Sequence, residues 1–228
     1  MYIDSDWIRI GGINIQHPVT AGTNALLAIQ CLAYFFRLRA STEARARLWS
    51  GFFIMMALAT FAGAFKHGVP HLLGEAGFAA VLAVSNLGSG VSTYFAQRAT
   101  ITCCEPASIR ARYRLLIGIQ LAAFLIANVI IGPRLFLLII NSAVGLLPVI
   151  ANEALHSRSV PGAKLVAIGL SISILTGVVY IAGVSAGSWF NHIDLAHVIM
   201  AVSFLIVFLG ARQVGYPKAR TMSERVMT

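Results

Sequence analysis

Apolar and polar positions separate along this chain into seven long apolar runs joined by short polar stretches. The runs cover 18–36, 48–65, 72–95, 115–131, 135–155, 165–184 and 194–210. Each approaches the roughly 20 residues that a helix needs to cross a bilayer. A helix bonds its own backbone, so such runs predict membrane-spanning α-helices. The punctuation agrees: Arg37 and Arg39 stop the first run, and Pro70 ends the second near His67, because residues before a proline avoid helical geometry. Gly132-Pro133 separates the fourth run from the fifth, and Pro161-Gly162 lies between the fifth and sixth. Ahead of the first run, Met1 to Gln16 forms a polar lead-in with a turn at Gly11-Gly12. In the third run Ser85, Asn86, Gly88, Ser89 and Gly90 suit close helix packing. No internal repeat of the kind found in transporters is visible. The expected fold is all-α, a polytopic seven-transmembrane-helix bundle, in a single domain over 1–228.

The basic residues orient it. Arg37, Arg39, Arg45 and Arg47 follow the first run, and Arg98, Arg110, Arg112 and Arg114 follow the third. Arg158 and Lys164 follow the fifth; Arg212, Lys218, Arg220 and Arg225 follow the seventh. The alternate connections hold only Arg9, Lys66 and Arg134. Loops rich in lysine and arginine stay in the cytoplasm, and only an odd number of spans preserves this alternation. The expectation is N-out and C-in.

Composition narrows the class further. The chain is 58% hydrophobic and 11% charged, with a mean hydropathy of +0.81; soluble domains average about 25% charged residues. A net charge of +9 would fit a nucleic-acid partner, but the basic residues lie in short loops, where they set topology and meet anionic lipid. No nucleic acid is expected. No cleavable signal peptide is expected either, since Asp4 and Asp6 make the start acidic. Cys31 lies in an apolar run. Cys103 and Cys104 lie in a basic loop where thiols stay reduced, as plain loop cysteines or as palmitoylation sites. Compactness points to a bacterial inner membrane.

Ionisable residues beside spans are the candidates for chemistry. His17, His67, His71, His192 and His197 all fall toward the outer face, and His156 toward the cytoplasm. Asp194 and His197 are three apart and share a helix face. His192 and His197 are five apart, about 140° around a helix, so they converge only if His192 precedes the helix. His67 and His197, with His192 and Asp194, therefore form a candidate metal site for zinc with an open position for water. Metal-bound water would attack an amide or ester carbonyl. Asp194 and Glu75 are the candidate catalytic carboxylates. The plainer alternative makes Asp194 a cap for the seventh helix, His67 and His192 interfacial residues, Glu75 an interfacial carboxylate, and His197 a hydrogen-bonding partner of a neighbouring helix. His71 has helical pair spacing to His67, which Pro70 undermines. Glu153 with His156 reads as a solvated helix end at the opposite face.

The pattern resembles the seven-helix superfamily of alkaline ceramidases, adiponectin-type receptors and related membrane hydrolases. His67 matches that superfamily's histidine near the end of the second helix. The segment Trp189-Phe-Asn-His-Ile-Asp-Leu-Ala-His197 is similar to the opening of its seventh, with His197 matching the last histidine. The resemblance implies zinc and a lipid-directed hydrolase activity. The chain departs from the pattern at three places. Gly63 stands where the superfamily has a serine, Ile193 stands four before His197 where it has a second histidine, and the third span has no aspartate.

Two other functions meet the same sequence. One is a non-catalytic structural subunit of a larger membrane complex, packing against lipid, other membrane subunits or a second copy of itself. The other is a bis-histidine haem b protein with His67 and His197 as axial ligands; without CxxCH, covalent attachment is excluded. The seventh span carries no lysine for a retinal Schiff base.

Overall fold

The computed structural model describes residues 7–104, 107–187 and 190–213. It opens with a two-stranded hairpin, β1 (Trp7–Ile10) and β2 (Ile13–Gln16). Gly11 and Gly12 form its turn at φ 57° and 86°, a backbone that two-residue hairpin turns require and glycine alone adopts freely. Seven helices follow: α1 (Pro18–Arg39), α2 (Ala44–Gly68), α3 (Pro70–Cys104), α4 (Ala107–Ile131), α5 (Leu135–Leu155), α6 (Ala163–Ala182) and α7 (His192–Gln213). All seven are long and apolar enough to cross a membrane. The chain is an all-α seven-helix bundle of the integral membrane class.

The helix positions follow the apolar runs, with two differences. Residues 7–16, expected as an irregular lead-in, form the hairpin, because their apolar residues alternate at the strand period of two. The third helix runs nine residues past Phe95, so most of the stretch expected as a loop from Gln97 to Arg114 is helix. The arginines there interrupt hydropathy without interrupting helical propensity. Pro70 acts as expected on α2, which ends at Gly68, and α3 has a kink at Gly74 (φ 61°).

Around the bundle α1 packs on α2, α2 on α3, α3 on α5, α5 on α6, α6 on α7, and α7 returns to α1. Helix α4 lies outside this ring against α3 and α5. Small residues set the closest approaches. A Cβ on Gly88 would stand 2.9 Å from the Met55 carbonyl oxygen of α2. Between α6 and α7, one on Gly169 would stand 2.9 Å from the Ser203 carbonyl oxygen, and the Ser203 hydroxyl donates to the Gly169 carbonyl at 2.8 Å. Without a hydrophobic force between helices in lipid, such van der Waals fit and interhelical bonds hold the bundle. An aromatic cluster fills the α1–α2–α7 interface, where Tyr34 stacks on Phe208 at 4.2 Å and Phe53 meets both Tyr34 and Phe204 edge-on.

At the end of the bundle opposite the histidines, Glu153 is 0% exposed and pairs with Arg45, itself 1% exposed, at 2.5 Å. Thr100 donates to the other carboxylate oxygen at 2.7 Å, and Arg45 reaches the Pro161 carbonyl oxygen at 3.4 Å. The solvated helix end expected at Glu153 and His156 is thus corrected. Glu153 is the buried hub joining α2, α3 and α5, whereas His156 caps locally on the Asn152 carbonyl oxygen. Arg45, counted among loop charges, is likewise a buried partner. Hydropathy hid the pair because each residue alone looks like a terminal charge; only α5 passing α2 brings them together.

Removing one partner of a buried pair leaves the other charge uncompensated, which typically costs about 3–5 kcal/mol. Glu153→Leu alone and Arg45→Met alone should each lower resistance to denaturation in detergent micelles by that order. The double variant should recover most of the loss. Equal losses in the single and double variants would show that the pair is not coupled.

Candidate functional site

The polar residues at the histidine end are assembled by the first turns of α1. Thr20, Thr23 and Asn24 are spaced at i, i+3 and i+4, so they share one helix face, and that face turns toward α2 and α7. The Thr20 hydroxyl donates to Asp194 Oδ1 at 2.6 Å. Thr23 Oγ1 lies 2.9 Å from His197 Nδ1 and donates to the Thr20 carbonyl at 3.1 Å. Asn24 donates to the same carbonyl at 3.0 Å and is buried.

Helix α7 begins with a reciprocal cap. Asn191 Oδ1 accepts from the backbone N–H groups of Ile193 (2.7 Å) and Asp194 (3.3 Å), while the Asn191 N–H donates to Asp194 Oδ2 at 2.9 Å. This is the capping-box arrangement, with the carboxylate in the first turn where the helix dipole favours it. Asp194 is 0% exposed, with one oxygen held by the cap and the other by Thr20. Of the roles expected for Asp194, as metal ligand, catalytic carboxylate or cap, the cap is the one whose hydrogen bonds this geometry displays.

His197 stands one turn further along α7. The direction of the 2.9 Å contact follows the tautomer: with the Thr23 proton on the Thr20 carbonyl, His197 Nδ1–H donates to Thr23 and Nε2 keeps its lone pair. His67, on the last turn of α2, lies within electrostatic reach of His17, Lys66 and His197. The His17 ring meets that of His67 edge-on at 6.5 Å between centroids. His17 owes this position to the corner between β2 and α1, where it takes φ 43°, a left-handed backbone rare outside glycine. Imidazoles from α1's approach, α2 and α7 therefore share one end of the bundle, with Asp194 and Lys66 both acting electrostatically on His197.

The other candidates go elsewhere. His192 meets Tyr180 of α6 edge-on, at 5.3 Å between ring centroids. His71 packs on Trp7 of the hairpin at 5.6 Å. Glu75 is exposed, just beyond the kink at Gly74. Among the described residues, no group of three or more His, Cys, Asp or Glu side chains is close enough to hold a metal ion. Trp189 and the side chains of Cys103 and Cys104 lie outside the described residues.

Gly63, the departure from the superfamily's serine, has a physical explanation. A Cβ there would stand 2.5 Å from Asn24 Oδ1. The amide of Asn24 fills the space above the glycine, one turn before His67. Reading the sequence missed Thr20, Thr23, Asn24 and His17 as parts of the site. The signal was present in Thr20-Ala-Gly-Thr23-Asn24, three polar residues on one face inside an otherwise apolar run.

The chain belongs to the Family of unknown function (DUF6962), which it matches over residues 19–216. No curated protein and no solved structure matches it.

Gly63→Ala should destabilise the protein through this collision, by about 1–3 kcal/mol as for other overpacked sites. Combining it with Asn24→Ala should restore much of the loss, read as thermal stability in micelles. An additive double variant would separate Gly63 from Asn24.

Proposed function

We propose that this member of the family is a hydrolase-like membrane protein that holds zinc with His67 and His197 and acts on lipid amides or esters. The observation that carries this reading is the meeting of imidazoles from three chain segments at one end of the bundle, with His197 fixed through Nδ1. The resemblance to alkaline ceramidases and adiponectin-type receptors supports the same chemistry. The basic residues support an orientation with this end outside, facing the periplasm of a bacterial cell.

The donor chemistry fits zinc. Imidazole is a preferred zinc ligand, and liganding histidines commonly donate their second ring N–H to a fixed acceptor. Thr23 serves His197 in that way. Asp194, tied into the cap, places the start of α7. Asn24 supplies a polar group between Thr20 and His67. When bound, zinc would supply Lewis acidity to polarise a carbonyl and activate water. His192 and Glu75 take no part in this reading.

Elemental analysis of untagged protein, purified without chelator, should find about one zinc per chain, a stoichiometry typical of such sites. His67→Ala and His197→Ala should each abolish it, and Thr23→Val should weaken zinc affinity about 10- to 100-fold, as loss of such supporting bonds does elsewhere. Full zinc retention in His197→Ala would overturn the assignment. Iron with a haem absorption band would instead establish the bis-histidine haem b reading. Absence of any metal would leave a packing subunit, to be pursued through what copurifies with it.

A further inference from the structure

The N-terminal hairpin has one face made of isoleucine. Its register pairs Ile8 with Ile15 and Ile10 with Ile13, and pairs Trp7 with Gln16 and Arg9 with Asn14. Directly paired residues lie on the same side of a sheet and successive residues alternate. One face therefore carries four isoleucines, and the other carries Arg9, Asn14, Gln16 and Trp7. The apolar face is barely covered by protein: Ile10 is 58% exposed and Ile13 48% exposed. Ile15 of this face approaches the bundle, its Cγ2 3.9 Å from where a Cβ on Gly68 would stand, and Trp7 of the other face packs on His71 of α3.

Three features fix what this face meets. Only His17 separates β2 from α1, so the hairpin is held at the level where a membrane-spanning helix begins. Ile15 points the isoleucine face toward the end of α2. At that same end Phe65 of α2 and Leu72 of α3 are exposed, which continues the apolar surface directly into the belt that the spans present to lipid. Tryptophan and arginine at the edge and on the far face match the composition of interfacial segments.

We propose that the isoleucine face of the hairpin inserts into the adjoining lipid leaflet and so anchors His17 against His67. The bilayer itself supplies the missing cover for a two-stranded hairpin that would be marginal alone in water. Anchoring the hairpin also holds the strained corner at His17, whose left-handed backbone persists only where its surroundings enforce it. This inference stands whether or not the histidines hold a metal.

The test uses the full chain in phosphatidylcholine vesicles. Ile10→Cys is placed in a Cys103→Ser, Cys104→Ser background, Cys31 being buried, and carries a nitroxide spin label. Power saturation then compares collisions with oxygen, which partitions into lipid, and with a water-soluble nickel chelate. Oxygen should exceed the chelate several-fold at position 10, and the order should reverse for a label at Arg9→Cys on the opposite face. Chelate access at position 10 equal to that at position 9 would overturn the proposal. Poor access to both reagents would also overturn it, in favour of a protein cover such as a second copy. The anchoring is read separately. In an Ile8→Ser, Ile10→Ser, Ile13→Ser variant that still purifies as folded protein, carbethoxylation of His67, followed by mass spectrometry, should accelerate several-fold. An unchanged rate would show that His17 is held without the bilayer.

Discussion

A polar side chain inside a helical bundle in lipid has no water to fall back on, so each must find a partner on a neighbouring helix or give up several kcal/mol. In this chain that requirement is met at two ends of the bundle by two different devices. At one end, the hydroxyls of Thr20 and Thr23 reach from α1 to Asp194 and His197 of α7. At the other, Glu153 of α5 takes both Arg45 of α2 and Thr100 of α3. The first links α1 to α7 and closes the ring of helices. The second fixes how α2, α3 and α5 pass one another. Between them lie small-residue and aromatic packing and further interhelical bonds, from Gln97 to Gln120, Gln120 to Asn141, Asn141 to the Gly90 carbonyl and Ser203 to the Gly169 carbonyl.

The two devices differ in what they leave available. The Arg45–Glu153 pair is buried, its charges paired with each other and bonded to a hydroxyl and a carbonyl, while Arg45 Nε has no hydrogen-bond partner among the described residues. It specifies structure. The histidine end is satisfied unevenly. Asp194 is bound on both oxygens, while the ring of His197 makes one hydrogen-bond contact, to Thr23, and His17 and His67 stand at the same end. This is the physical basis for reading that end as the functional one.

The hairpin extends the same logic outside the spans. Its isoleucine face leaves Ile10 and Ile13 about half exposed, and the αL corner at His17 follows directly on the second strand. Lipid as cover for that face would make the bilayer part of the site's architecture, and would make the position of His17 sensitive to the leaflet in which the hairpin rests.

Hydropathy alone determined the number of helices, nearly all of their limits, and the gathering of His17, His67 and His197 at one depth, because burial in lipid acts on every residue of a span at once and so leaves a continuous trace in the sequence. The breaks at Pro70, Gly132-Pro133 and Pro161-Gly162 were legible for the same reason: they act on the local backbone. The tertiary structure decided everything that depends on the rotation of a helix. It set His192 edge-on to Tyr180, made Asp194 a cap bound to Thr20, set Asn24 in the space left by Gly63, and buried Glu153 against Arg45. Each of these joins residues on different helices, and each is decided by which face of one helix meets which face of another. Side chains that project from a span at the same depth look alike in a hydropathy profile. They are told apart only when a second helix offers one of them a partner and leaves another to lipid.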